Sequence, residues 1–336
     1  MEAFIIMLRK VLMFVGLAIP GFVLVKSKAF TKEQSAVLSK MLTTVAMLFF
    51  VMTATMNSVS FAPEGLLTLA VATIIGIGFT LAMYFLSVPL TGFEKSKVMT
   101  GESSDENALI AKKKRGMLRF ASIFSNNGFL AIPLANEVLG KTSGALPVLI
   151  VINIITNLSM LTFGKPLVSG QKEKTDAKKI LLNPVIIGFV VGLILNLTNI
   201  GAYVPEIPTF TTHFSNLVTP LSMTILGMKM GEANLSKIFV KPKTYYSSFI
   251  KLIVMPMLII ALMFAVKGIF NVQVLNNDMF IGVFLAFSMP TATLASALAD
   301  SNDGDIENAV CYTLGSTILS IATIPLLYMV LNLLLA

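Results

Sequence analysis

Ten stretches of this 336-residue chain stay apolar long enough to cross a bilayer, near residues 5–25, 37–59, 66–90, 116–138, 144–168, 180–199, 211–232, 245–270, 278–299 and 306–335. A hydrocarbon core about 30 Å thick needs roughly 20 such residues per helix. The runs are far too continuous for the alternating strands of a barrel, so helices are the expected spanning form. Composition points the same way. Hydrophobic residues make up 55% of the chain and charged residues 12%, against about 25% charged in soluble domains. The expectation is an all-α polytopic membrane protein of ten transmembrane helices. The first stretch leads into VKSKAFTKEQ without a small-residue cleavage pattern, and reads as an uncleaved first span.

Mapped onto ten spans, the net charge of +8 becomes a sidedness signal. Almost all basic residues fall in the segments around 26–40, 95–119, 165–179 and 229–251, which lie on one side. The other side holds Arg9, Lys10, Lys141 and Lys267. The positive-inside rule makes the rich side cytoplasmic and places both termini outside, in a plasma-membrane protein. The KKKR run at 112–115 reads as a cytoplasmic anchor. No aromatic interleaving or separate basic domain accompanies it, which argues against nucleic acid. The loop 299–307 carries Asp300, Asp303, Asp305 and Glu307 and no base. It reads as a solvated cap, with a partner or cation site as the alternative. One histidine, His213, and one cysteine, Cys311, supply no metal cluster and no catalytic set. Neither an enzyme nor a bound cofactor is expected.

Two spans are interrupted. ASIFSNNGFLAIPLANEVLG, residues 121–140, contains Pro133, and GVFLAFSMPTATLASALADSN, residues 282–302, contains Pro290. Proline lacks an N–H and clashes with the preceding turn, so each is expected to open its helix. Pro133 is followed 33 residues later by Pro166, and Pro290 is followed 35 later by Pro325. A cut near residue 170 leaves five expected spans on each side. An odd number per half turns the second half over, which gives an inverted 5+5 repeat, residues 1–170 and 171–336. Paired interruptions in such halves point to a secondary transporter's binding site.

Those segments carry a resemblance. Asn127, Ile132, Pro133, Leu134 and Gly140 resemble the fourth span of the auxin efflux carrier family, which includes bacterial malate-type permeases. LLNPVIIGFVVGLIL with Asn183, Pro184, Gly188 and Gly192 is similar to the family, as are PLSMTILGMKMG, AFSMPTATLASALADSN and LSIATIPLLYMVL. The resemblance implies a dimerising scaffold of spans 1, 2, 6 and 7. It also implies a mobile transport domain of spans 3–5 and 8–10, with spans 4 and 9 unwinding and crossing.

The expected function is alternating-access transport of a small organic anion, such as malate. Broken helices present N-terminal dipoles that suit an anionic headgroup. Asn126, Asn127 and Pro133 in the first break, with Ser288, Pro290 and Thr291 in the second, are the expected substrate contacts. Asn153 and Asn157 share a helix face and either line the site or hydrogen-bond between helices. Thr313, Ser316, Thr317 and Ser320 read as packing residues, and Gly188–Gly192 and Gly227–Gly231 as close helix contacts. No acid lies in the centre of a span, so an obligate proton or sodium carrier is not evident. The alternatives are a sodium-coupled symporter of bile-acid-type fold and a membrane sensor that binds without transporting.

Overall fold

The computed structural model describes residues 2–94, 104–140, 143–171, 178, 181–270 and 274–336. Lys95, Lys97, Lys141, Lys172, Lys174 and Lys179 of the charge map lie outside them. The described residues are helical nearly throughout. Among the described residues no strand forms beyond an isolated antiparallel bridge, Ser125 to Thr291.

Six helical stretches are long and apolar enough to cross a membrane: Phe4–Lys26, Glu33–Ser58, Pro63–Leu90, Ala145–Ser169, Pro242–Ile269 and Ile306–Leu335. The other expected spans are divided. Residues 116–138 and 278–299 are interrupted at 124–126 and 289–293. Residues 180–199 hold the shorter helix Pro184–Leu197. Residues 211–232 are split between Glu206–Ser215 and Val218–Glu232. Length and apolarity alone therefore identify six spans where ten were expected, because a broken helix leaves pieces shorter than a bilayer needs.

Glycine sets the closest helix contacts. Glu2–Lys26 packs along Val218–Glu232, and Met47–Ser58 along Pro184–Leu197. A Cβ on Gly21 would run into Thr224 O, and one on Gly227 into Ala18 O. Gly188 and Gly192 meet the backbones of Leu48 and Met52 in the same way. The two small-residue pairs thus act as the sequence suggests, letting backbones touch where a side chain would hold them apart.

A second group of helices surrounds the two interrupted segments. Pro63–Leu90 packs on Ala145–Ser159 and Ser104–Ile123, while Pro242–Phe249 packs on Ile306–Leu335. Arginines tie Ser104–Ile123 to the carboxyl end of Pro63–Leu90. Arg119 donates to Tyr84 O at 3.0 Å and Ser87 Oγ at 2.9 Å, and Arg115 to Val88 O at 2.9 Å. Cations at the last carbonyls of a helix complement its dipole. The acidic loop is docked rather than free. Lys113 of the KKKR run pairs with Asp303 at 2.9 Å, Lys241 pairs with Glu307 at 2.7 Å, and Asp305 caps the last helix by accepting from Asn308 N.

Candidate functional site: a crossing of two broken helices

The first interrupted segment runs Ser104–Ile123, then a non-helical Phe124–Asn126, then a π turn Asn127–Ala131 leading into Ile132–Leu139. The second runs Asn277–Ser288, then Met289–Thr293, then Leu294–Ser301. The gaps cross and bond backbone to backbone. Asn126 N donates to Pro290 O at 2.8 Å, and Ala292 N donates to Phe124 O at 3.0 Å. This short antiparallel pair satisfies groups that a break would otherwise leave bare in an apolar interior.

The two prolines do not occupy matching places. Pro290 lies inside its gap, next to the crossing. Pro133 lies in the first turn of Ile132–Leu139, beyond the π turn, and is buried. The first helix opens at the Ser-Asn-Asn step, residue types of low helix propensity, whose side chains reach other helices while the second segment takes up the freed backbone groups. Pro133 still leaves a mark. An α-helical N–H at position 133 would meet Phe129 O, and the Ser222 hydroxyl donates to that carbonyl at 3.3 Å instead.

Polar side chains complete the crossing. Thr291 N donates to Ser316 Oγ at 3.1 Å, and the Thr291 hydroxyl donates to Ala121 O at 3.0 Å. Ser316, read above as packing, is therefore a cap on the second break. Asn127 Nδ2 donates to Thr156 Oγ1 at 3.1 Å. Asn157 Nδ2 donates to Asn153 O and Oδ1, so that pair bonds within its own helix. Asn127 Oδ1, Asn153 Nδ2 and Ser288 Oγ are buried without a partner. An added Cβ on Gly128 would touch Asn153 Oδ1 at 3.4 Å, so the Asn127–Ala131 turn packs closely on Ala145–Ser159.

Lys251 is the largest surprise. In the charge map it belongs to the basic segment 229–251, at the start of the expected span 245–270, yet it is 1% exposed and sits in a π turn, Ile250–Val254, within the Pro242–Ile269 stretch. Its ammonium donates to Ile123 O at 3.1 Å and to Ser125 Oγ at 2.6 Å. The signal was present: a lysine flanked by ILIV-type residues inside an apolar run is a functional candidate by default.

A cavity of about 230 Å³ opens beside the crossing. Its walls come from three places: Ser39, Lys40, Leu42 and Thr43; Ser222, Met223, Ile225, Leu226 and Lys229; and Asn126, Phe129, Thr293, Leu294 and Ala297 of the broken helices. Asn126 and Thr293 are the residues that precede the two half-helices beginning at the crossing. Two helix N-termini and two lysines around one cavity favour negative charge. Of the expected substrate residues, Asn126 lines this cavity, while Asn127, Pro133, Ser288, Pro290, Thr291, Asn153 and Asn157 lie outside its walls. Lys40, Lys229, Ser222 and Thr293 were not foreseen. A smaller, almost wholly apolar cavity shares the walls Met223 and Leu226 and reaches Phe14, Ile321 and Ile324.

Comparison with known proteins adds two findings. The model of the sodium bile acid symporter family matches residues 217–335. A protein of Methanothermobacter thermautotrophicus described as an uncharacterized transporter is 28% identical over 241 residues, covering 68% of this chain and 74% of its own. The family match overturns the resemblance to auxin efflux carriers, and the malate-permease expectation loses its basis with it. The quoted motifs misled for a physical reason. An asparagine step, a proline and small-residue pairs mark helix breaks and close helix contacts, which are needs of the architecture rather than of one family.

Proposed function

We propose that this chain is a secondary transporter of the bile-acid-symporter type that carries an organic anion across the plasma membrane by alternating access. The observation that carries the reading is the cavity at the crossing, where Lys40 and Lys229 join the amino ends of two half-helices. Such a site holds a carboxylate by charge and backbone dipole. The family match and the transporter relative favour transport over enzymatic chemistry.

Alternating access needs two bodies, and the packing supports a division between them. Residues 2–58 and 184–232 pair through Glu2–Lys26 on Val218–Glu232 and Met47–Ser58 on Pro184–Leu197, and act as the scaffold. The broken helices and the helices around them form the moving body. The cavity lies between the two. Contacts of the first half recur in the second: Pro63–Leu90 lies against Ser104–Ile123 as Met255–Phe270 lies against Asn277–Ser288. That recurrence supports an inverted repeat of 1–170 and 171–336, with ten crossings once the divided helices are counted. Lys40 and Lys229 stand at the basic ends of their helices, so the cavity opens toward the cytoplasm under the positive-inside rule.

Sodium coupling is the second reading, favoured by the family match. Purified protein in lipid vesicles, preloaded with one organic acid and offered the same acid labelled outside, tests both. Saturable counterflow is expected, with a weaker apparent affinity in Lys229→Gln. Binding without counterflow for every acid tried would make the chain a sensor. Replacing sodium by choline separates coupled from uncoupled transport.

A further inference from the structure

Breaking a helix in the membrane exposes its last carbonyls, which carry partial negative charge. At this crossing two such ends meet. Ser104–Ile123 ends at Ile123, and Asn277–Ser288 ends at Ser288. A single group reaches the first directly and the second through one hydroxyl. The Lys251 ammonium donates to Ile123 O at 3.1 Å and to Ser125 Oγ at 2.6 Å, and the Ser125 hydroxyl donates onward to Phe287 O at 3.4 Å. The lysine belongs to a third element, and its π turn packs against Ser104–Ile123, Asn277–Ser288 and Ile306–Leu335. Among the described residues no carboxylate pairs with it. Arg115 and Arg119 of the adjoining helix are engaged with Val88 O and Tyr84 O, and Lys267 lies over the Phe280 ring. Its stabilisation therefore comes from the carbonyl ends and the serine.

We propose that Lys251 is the resident cation of the crossing. Its tethered ammonium compensates the carbonyl ends of both broken helices, so this pole of the crossing takes no sodium. An ammonium offers three donors in tetrahedral array, and two are spent on the oxygens a small cation would otherwise gather. Buried cations are costly unless so matched. The inference deepens the transport reading, on which its meaning for coupling rests, but the contacts themselves do not depend on transport.

Thermal unfolding of the purified protein in sodium, potassium or choline chloride at equal ionic strength tests it. Wild type and Lys251→Arg are expected to melt within about 5 °C of each other in each salt, because both keep the charge. Lys251→Ser removes the charge and opens the position. It is expected to melt at least ~5 °C below wild type in choline and to recover part of that loss in sodium but not in potassium, since a cation bound only to the folded form raises its stability. A serine variant that folds only in sodium supports the proposal equally. So does one that fails in every salt while the arginine variant folds, because the charge is then what the site requires. The proposal is overturned if Lys251→Ser melts like wild type. It is likewise overturned if the serine variant folds but shows wild type's sodium response, or if Lys251→Arg fails as badly as Lys251→Ser. Counterflow plays no part in these readouts, so failure of the transport reading would appear separately.

Discussion

The two broken helices reach the same crossing by different chemistry. The first opens at Ser125-Asn126-Asn127 without a proline, keeps its amides near the cavity and the buried Asn153–Thr156 face, and has Lys251 on its carbonyl end. The second opens at Pro290, and its polar groups are hydroxyls: Ser288 has no partner, Thr291 holds Ala121 O, and Ser316 caps Thr291 N. One break falls at residues of low helix propensity, the other at a residue that cannot continue a helix. Amides can both donate and accept to a ligand, whereas of the second break's hydroxyls Thr291 is spent on the frame, Ser288 is buried without a partner and Thr293 lines the cavity. Both breaks reach the cavity: under the proposed transport reading the first offers it an amide at Asn126, and the second a hydroxyl and a helix end at Thr293.

Substitutions can pull that contrast apart. The largest effect is expected at the first break: Asn126→Ala should lower counterflow at least ~10-fold in vesicles while the protein still inserts, about 1.4 kcal/mol of lost recognition or more. Ser288→Ala at the second break should leave flux within about twofold and leave stability unchanged or slightly raised, because it removes a buried hydroxyl that has no partner. Loss of flux at Ser288 with none at Asn126 would reverse the assignment. Next comes Ser316→Ala, which strands the buried Thr291 N–H and should cost about 1–3 kcal/mol in denaturant unfolding. The prolines should differ as well. Pro290→Ala removes the barrier to extending Asn277–Ser288 and should impair flux more than Pro133→Ala, whose position is already helical. The smallest effect lies away from both breaks. Lys241→Met loses an exposed pair with Glu307 and should cost under about 1 kcal/mol.

Much of this was legible in the chain. Apolar runs located the helices but not which would stay whole: the run 116–138 is longer than 5–25, yet it is the one that breaks. Gly188–Gly192 and Gly227–Gly231 announced the tight pairs, because a missing side chain at helical spacing has little other use in a membrane. The place of each break was less legible. Pro133 drew attention away from Ser125 and Asn126, seven and more residues earlier, where the backbone departs from helix. Registering Ser125 against Thr291 joins residues 166 positions apart and follows no local rule. Lys40 and Lys229 looked like orientation charges because their helices converge on the crossing only after folding. Lys251 is the exception. It stood inside the expected span 245–270 and was readable as buried had its flanks been weighed before its charge. The family-level error shares a cause with the proline error: both took a marker of architecture for a marker of cargo.

The central claim, that an organic anion is carried at this crossing, is tested most directly by counterflow of a panel of labelled organic acids in vesicles containing wild type or Asn126→Ala. The account predicts saturable counterflow of at least one acid by wild type and its near loss in the variant at equal insertion. Equal flux in the two proteins, or wild-type binding with no counterflow of any acid, would contradict it.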